Sequence, residues 1–149
     1  MAITTRTLSC PPEAVFDVLA EGWLYPSWVV GASRIRDVEP GWPMEGAKIH
    51  HSFGVWPALI DDTTSVLEWD PPHRAVLKAR GWPVGSAQVV LEVERTADGC
   101  EVRISEDALE GPGTLVPKAV RDVLIGVRNS ETLRRLEYLA EGRARAVHR

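Results

Sequence analysis

The chain has 149 residues, 44% hydrophobic and 26% charged, with a formal net charge of −4. This composition excludes a disordered or low-complexity chain, and without a basic block to track a phosphate backbone no nucleic-acid partner is expected. No run of about 18 apolar residues spans a membrane, the N-terminus has no continuous apolar signal segment, and two cysteines make no disulfide framework, so the expected location is the cytoplasm.

Residues Ile3 to Ser9, with three threonines, read as a short strand. Cys10-Pro11-Pro12-Glu13 reads as a helix start, because proline is tolerated in the first turn and an acidic residue suits the positive helix end. Val15, Phe16, Val18 and Leu19 form the apolar face of that helix, which Gly22 ends. A second short helix is expected over 24–31, closed by Gly31. Strand patterns follow at 33–39, 46–55, 58–69, 74–80, 86–95 and 100–107, with Ala97-Asp98-Gly99 as a hairpin turn. Their half-polar alternation indicates antiparallel strands with one solvated face. Glu110-Gly111-Pro112-Gly113 breaks the sheet, and Thr114 is placed to cap a long helix from about Leu115 to Arg143. On it Val116, Val120, Val123, Leu124, Val127, Leu133, Leu136 and Ala140 recur at helical spacing. That helix, about 40 Å long, is the one element large enough to cover the apolar face of the sheet. No repeat or linker interrupts the pattern, so one domain over 1–149 is expected.

Several segments resemble a known superfamily when taken in order. They are Pro11-Pro12-Glu13-Ala14-Val15-Phe16-Asp17-Val18-Leu19 after a first strand, Trp28 in the second short helix, and Gly46 opening a strand. Glu68-Trp69-Asp70-Pro71-Pro72-His73-Arg74 between two strands, the Asp98-Gly99 hairpin, and Glu106 before Gly111-Pro112 also match. So does the end Thr132-Leu133-Arg134-Arg135-Leu136-Glu137-Tyr138-Leu139-Ala140-Glu141. Together they resemble the START-like (SRPBCC, helix-grip) superfamily, and within it the bacterial polyketide cyclase/dehydrase-like group. The resemblance implies an α+β helix-grip (Bet v 1/START-like) fold. A seven-stranded antiparallel sheet would wrap around the long C-terminal helix, with two short helices after the first strand. It implies a deep apolar cavity between sheet and helix, where family members bind lipids, sterols, polyketides and hormones, and where a few act as cyclases or aromatases. No cofactor is implied, and a shared fold supplies a pocket, not a reaction.

The chain has six Trp against two Phe and two Tyr. Trp23, Trp28, Trp42, Trp56, Trp69 and Trp82 lie mostly near turns or strand ends, which the resemblance places around one mouth of the cavity. Each either stacks on a flat ligand or packs structurally, and Trp28 and Trp69 are the better cavity candidates. The parity of Trp69 is ambiguous, since Val66, Leu67 and Trp69 do not share one strand face. His50 and His51 are adjacent and point to opposite faces, and alternation with Ile49 and Phe53 selects His51 as the inward one. Its imidazole is either a general base, a group orienting a ligand carbonyl, or a satisfied half-buried side chain. Glu106 shares parity with Cys100, Val102 and Ile104, and either exchanges protons with substrate, pairs with an arginine such as Arg128 of the long helix, or caps a nearby backbone. His51 and Glu106 are the one acid/base pair the sequence assembles. Phe53, Leu91 and Leu124 complete the expected ligand-lining set with Trp28, His51, Trp69, Glu106 and Arg128. Gly126 reads either as room for ligand or close sheet approach, or as a tolerated surface glycine. The resemblance also brings Cys10 near Cys100, as neighbours on the first and last strands. His50, His51, Asp61 and Asp62 lack the spacing of zinc or calcium ligands, so no metal is expected.

Three functions compete. The first is binding of a small hydrophobic or aromatic molecule by a monomer or homodimer. The second is a polyketide cyclase, aromatase or dehydratase. The third is a protein-interaction module with a solid core and an exposed apolar patch.

Overall fold

The computed structural model describes residues 2–30, 32–55, 58–81, 85–110 and 115–147. Gly31, Trp56, Trp82 and Thr114 lie outside them, as does the side chain of Phe53.

Strand β1 (Ala2–Leu8) leads into helix α1 (Pro12–Ala20), a 3-10 turn (Gly22–Leu24) and the one-turn helix α2 (Tyr25–Trp28). Strands β2 (Ala32–Val38), β3 (Lys48–Val55), β4 (Ala58–Asp70), β5 (Arg74–Gly81), β6 (Gly85–Thr96) and β7 (Gly99–Glu110) follow, and α3 (Lys118–Val147) closes the chain. The seven strands form one sheet in the order β1-β7-β6-β5-β4-β3-β2, every neighbouring pair antiparallel. This is the expected architecture of a sheet, two short helices after the first strand, and a long C-terminal helix. Two local expectations shift. Gly22 opens the 3-10 turn instead of ending α1, whose C-cap is Glu21, and α3 begins at Lys118 and runs on to Val147.

Local chemistry explains the elements. Pro12 occupies the first turn of α1, where its missing N–H has no helical partner, and Val15, Phe16, Val18 and Leu19 are all buried. Gly99 starts β7 so close to the end of β1 that a Cβ there would lie 2.1 Å from the Leu8 carbonyl oxygen. Only glycine permits that approach. Leu8 pairs with Cys100, and Cys10 then packs against Cys100 with both thiols free and buried. The two thiols hydrogen-bond each other, and this contact together with burial pushes the Cys100 thiol up. A β-bulge between Val66 and Glu68 resolves the parity of β4. Leu67 is the extra residue, so Val66 and Trp69 both turn inward while Leu67 is exposed.

The core lies at one end of the sheet. Leu8, Val15, Phe16, Leu19, Ile49, Val66, Leu77, Leu91, Val93, Val102 and Ile104 meet Leu133, Leu136 and Ala140 of α3 there. Phe16 and Trp69 make an edge-to-face pair with centroids 5.2 Å apart. Three contacts tie down the C-terminal half of α3. Arg6 donates two hydrogen bonds of 3.1 Å to Glu137, Ser9 bonds Glu141, and Arg143 bonds Glu21 beside α1.

Candidate ligand site

Towards the other end of the sheet the inward rows loosen. Along β6, Val93 and Leu91 are buried but Val89 and Ala87 are half-buried. Along β5, Ala75 and Leu77 are buried and Ala79 is half-buried. The strand contacts of α3 are chiefly with β1 and β7, the sheet edge and its neighbour. A Cβ added to Gly126 would meet nothing within 4 Å. Successive helical residues turn by about 100°, which puts Gly126 within about 65° of the direction shared by Asn129, Leu133, Leu136 and Ala140. Among the described residues, then, the inner flank of α3 at Gly126 faces open space, and the close-approach reading of this glycine does not hold.

At the inner end of this region stands a chain of hydrogen bonds. The Tyr25 hydroxyl lies 2.7 Å from Thr64 Oγ1, and His51 Nε2 lies 2.8 Å from the same oxygen. The Thr64 hydroxyl has one proton and two lone pairs, so it donates to at most one of these neighbours. Tyr25 stacks on the His51 ring at 5.3 Å and 11°, and meets Trp28 edge-on at 5.4 Å. One helical turn explains the cluster, because Tyr25 and Trp28 are three residues apart in α2 and share a face. His51 is 0% exposed. Burial lowers its pKa to about 4, against the opposing pull of Asp62, its cross-strand neighbour. The ring is therefore neutral at pH 7. Burial likewise pushes the Tyr25 phenol up to about 12, with Arg128 and Glu106 near enough to act on it. His50 turns to the other face and meets Glu39 at 3.3 Å.

Glu106 is inward and buried, and Arg128 donates a hydrogen bond to its carboxylate. Arg128 is thus the arginine partner that the sequence leaves open for Glu106. Trp28 and Leu91 are fully packed, and Trp69 is partly buried against Phe16. Trp42 donates from Nε1 to the Leu19 carbonyl oxygen at 3.2 Å, and Trp23 is exposed. Leu124 departs from the expected lining. It is 63% exposed and lies on the opposite side of α3 from Leu133. Val116, before the start of α3, is exposed, and so are Val120, Val123 and Val127, so the seven expected apolar residues that lie in α3 form two faces instead of one.

Three polar residues of this region were not singled out by the sequence. Tyr25 carried a signal, its i, i+3 spacing to Trp28. Asn129 carried one too, lying four residues before Leu133 in register with the buried stripe. Thr64 shares strand parity with Val66, on the near side of the bulge that obscured the face of β4.

A seven-stranded antiparallel sheet with a long C-terminal helix and two short helices after the first strand is the helix-grip arrangement of the START-like superfamily. Residues 3–141 match the family model described as polyketide cyclase / dehydrase and lipid transport, and the chain belongs to that family. Solved structures repeat the fold at low identity. A Nitrosomonas europaea protein is 19% identical, with 94% of this chain and 93% of that one covered and a TM-score of 0.72. The di-domain ARO/CYC StfQ from the steffimycin biosynthetic pathway is 14% identical, with 95% of this chain and 50% of that one covered and a TM-score of 0.72. Ara h 8.0201 is 11% identical, with 94% and 96% covered and a TM-score of 0.71. No curated protein sequence matches the chain significantly. Among the described residues no helix is long and apolar enough to cross a membrane, and no group of three or more His, Cys, Asp and Glu side chains is placed to hold a metal ion.

Proposed function

We propose that this chain, as one domain over 1–149, binds a small hydrophobic or aromatic molecule of polyketide or lipid type. The ligand lies between the sheet and the N-terminal half of α3, with its polar end towards Tyr25, Thr64 and His51. The observation that carries this reading is the open flank at Gly126, above inward strand positions that are apolar yet incompletely covered. A mostly apolar concavity with a few convergent polar groups is what small-molecule sites have in common. Arg128 and Glu106 neutralise each other, and His51 is uncharged, so the polar end suits a neutral oxygen function better than a charged one.

The test is a plug. Gly126→Trp introduces an indole where nothing now stands, and it also removes a helix-interior glycine that costs about 1 kcal/mol. Titration with 1-anilinonaphthalene-8-sulfonate, read by fluorescence, is expected to show saturable binding to the native protein. The variant should bind at least about tenfold more weakly while melting no lower than the parent. Equal binding by both proteins, or no saturable binding of any member of a hydrophobic ligand panel, defeats the reading.

The hydrogen-bonded chain favours one alternative, a polyketide cyclase, aromatase or dehydratase. Neutral His51 can take a proton from a substrate carbon acid and return it to the leaving hydroxyl or to the product, while Thr64 and Tyr25 hold the ring in place. The structural likeness to the ARO/CYC StfQ supports the same reading. In that case His51→Gln would abolish conversion of a polycarbonyl chain, followed by mass spectrometry, a far larger loss than any weakening of probe binding. Unchanged conversion would remove the alternative.

A further inference from the structure

One polar group of α3 has no place in the packing. Asn129 is 2% exposed, and among the described residues its Nδ2 has no hydrogen-bond partner. A buried donor left unpaired costs about 1–3 kcal/mol, and asparagine is a poor helix former besides. Two polar residues beside it in α3 have partners of their own. Thr132 Oγ1 accepts from the Val30 amide at 3.4 Å, and Arg128 donates to Glu106. The position is a seam. One turn towards the C-terminus, Leu133 is sealed in the core, and one turn towards the N-terminus Gly126 stands over open space. Asn129 points along the middle of the inner helical direction, between the two.

We infer that the Asn129 side-chain amide is a ligand-recognising donor, and that it takes an uncharged oxygen acceptor, a ketone or quinone-type carbonyl, on the hydrophobic molecule. The inference rests on the binding function proposed above and names the feature that function selects. An apolar body fills the region under Gly126, and its carbonyl oxygen reaches the seam, where it supplies the acceptor the fold withholds. A ligand of the same shape lacking that oxygen leaves the amide unpaired and is discriminated against, since a site built to hydrogen-bond rejects an analogue that cannot. The ligand class is thereby narrowed from hydrophobic molecules in general to oxygenated ones.

The experiment compares 2-acetylnaphthalene with 2-ethylnaphthalene, which have nearly the same shape and differ in one carbonyl oxygen. Binding to native protein, Asn129→Leu and Asn129→Ala is measured by fluorescence, together with the melting temperature of each ligand-free protein. The native protein is expected to prefer the ketone, and Asn129→Leu to reduce that preference by about tenfold through weaker ketone binding. Ligand-free Asn129→Leu is expected to melt at or above the native temperature, because it replaces an unpaired polar group with an apolar one of similar size. Asn129→Ala serves the same comparison should leucine overpack the seam. An unchanged ketone preference, with both probes binding, overturns the inference and leaves the binding function standing. A drop in melting temperature for both ligand-free variants also overturns it, since the amide would then have a structural partner. If neither probe binds the native protein saturably, the binding function falls and the inference with it.

Discussion

The two halves of α3 use one helix in opposite ways. From Asn129 to Ala140 the side facing the sheet is buried, and Leu133, Leu136 and Ala140 pack into the core beside α1 and β1. Glu137, Glu141 and Arg143 anchor that half through Arg6, Ser9 and Glu21. From Lys118 to Val127 the apolar residues Val120, Val123, Leu124 and Val127 lie on the far side, about 180° from Leu136 in the case of Val127, which is 69% exposed. The inward side of that half carries Asp122, Ile125 and Gly126, and among the described residues the ion pairs Arg121–Asp107 at 3.8 Å and Arg128–Glu106 connect this part of the helix to the sheet. A helix packed tightly along its whole length would fill the fold, whereas this one closes one end and spans the other. The difference concentrates the packing contacts of α3 beside α1 and β1.

The largest expected effect tests the closed half. Leu136→Ala removes a fully buried side chain and should cost about 2–5 kcal/mol, the usual range for a core leucine that leaves a cavity. Urea denaturation at pH 7 measures it, as a lower midpoint with an unchanged slope. A cost below about 1 kcal/mol would mean that this end is as loosely packed as the other, and the contrast between the halves would disappear.

Much of this contrast was hidden in the sequence for a physical reason. Strand order, hairpins and the two short helices were legible, because period-2 alternation, the Pro11-Pro12-Glu13 start and the Asp98-Gly99 turn are local signals. The apolar residues of α3 were also legible as helical. Their division into two faces was not, because Val127 and Leu133 obey helical spacing with their own neighbours but are offset from each other by six residues, about 240°. Spacing reports that a helix is amphipathic and does not report which side finds a sheet. Strand parity predicts inward side chains at His51 and Glu106, and both are buried. The Tyr25–Thr64–His51 chain joins residues from α2, β3 and β4, and only the tertiary structure brings those elements together.

A smaller effect comes from the boundary between the halves, where pH is the probe. His51 binds its proton at about 4 in the fold, against 6.5 in an unfolded chain. Between those values the unfolded state holds more protons than the folded one, so stability rises with pH across that window. It is complete above about pH 7 and is lost progressively as pH falls from 6.5 towards 4. At pH 5 the loss from this residue should be about 2 kcal/mol. The checking measurement is the difference in urea midpoints between pH 7 and pH 5 for the native protein and for His51→Gln, which lacks the titrating ring. A variant with the same pH dependence as the parent would show that the imidazole is hydrated and that the inner end of the region is wet.

The smallest expected effect belongs to the outward face of the spanning half. Val120, Val123 and Val127 bury little of their side chains, so truncating them removes little apolar area from contact. Valine also restricts its own rotamers in a helix, which makes alanine the better helix former there. Each Val→Ala change should therefore leave the urea midpoint unchanged or raise it by a few tenths of a kcal/mol, and the triple variant should add these gains because no core contact couples them. The sign carries the information, since Leu136→Ala removes packing and Val127→Ala removes only a rotamer restriction, although both shorten an apolar side chain on one helix. A cost above about 1.5 kcal/mol for Val127→Ala would mean that this face is covered in solution, and the two halves would then differ in what they pack against instead of in whether they pack.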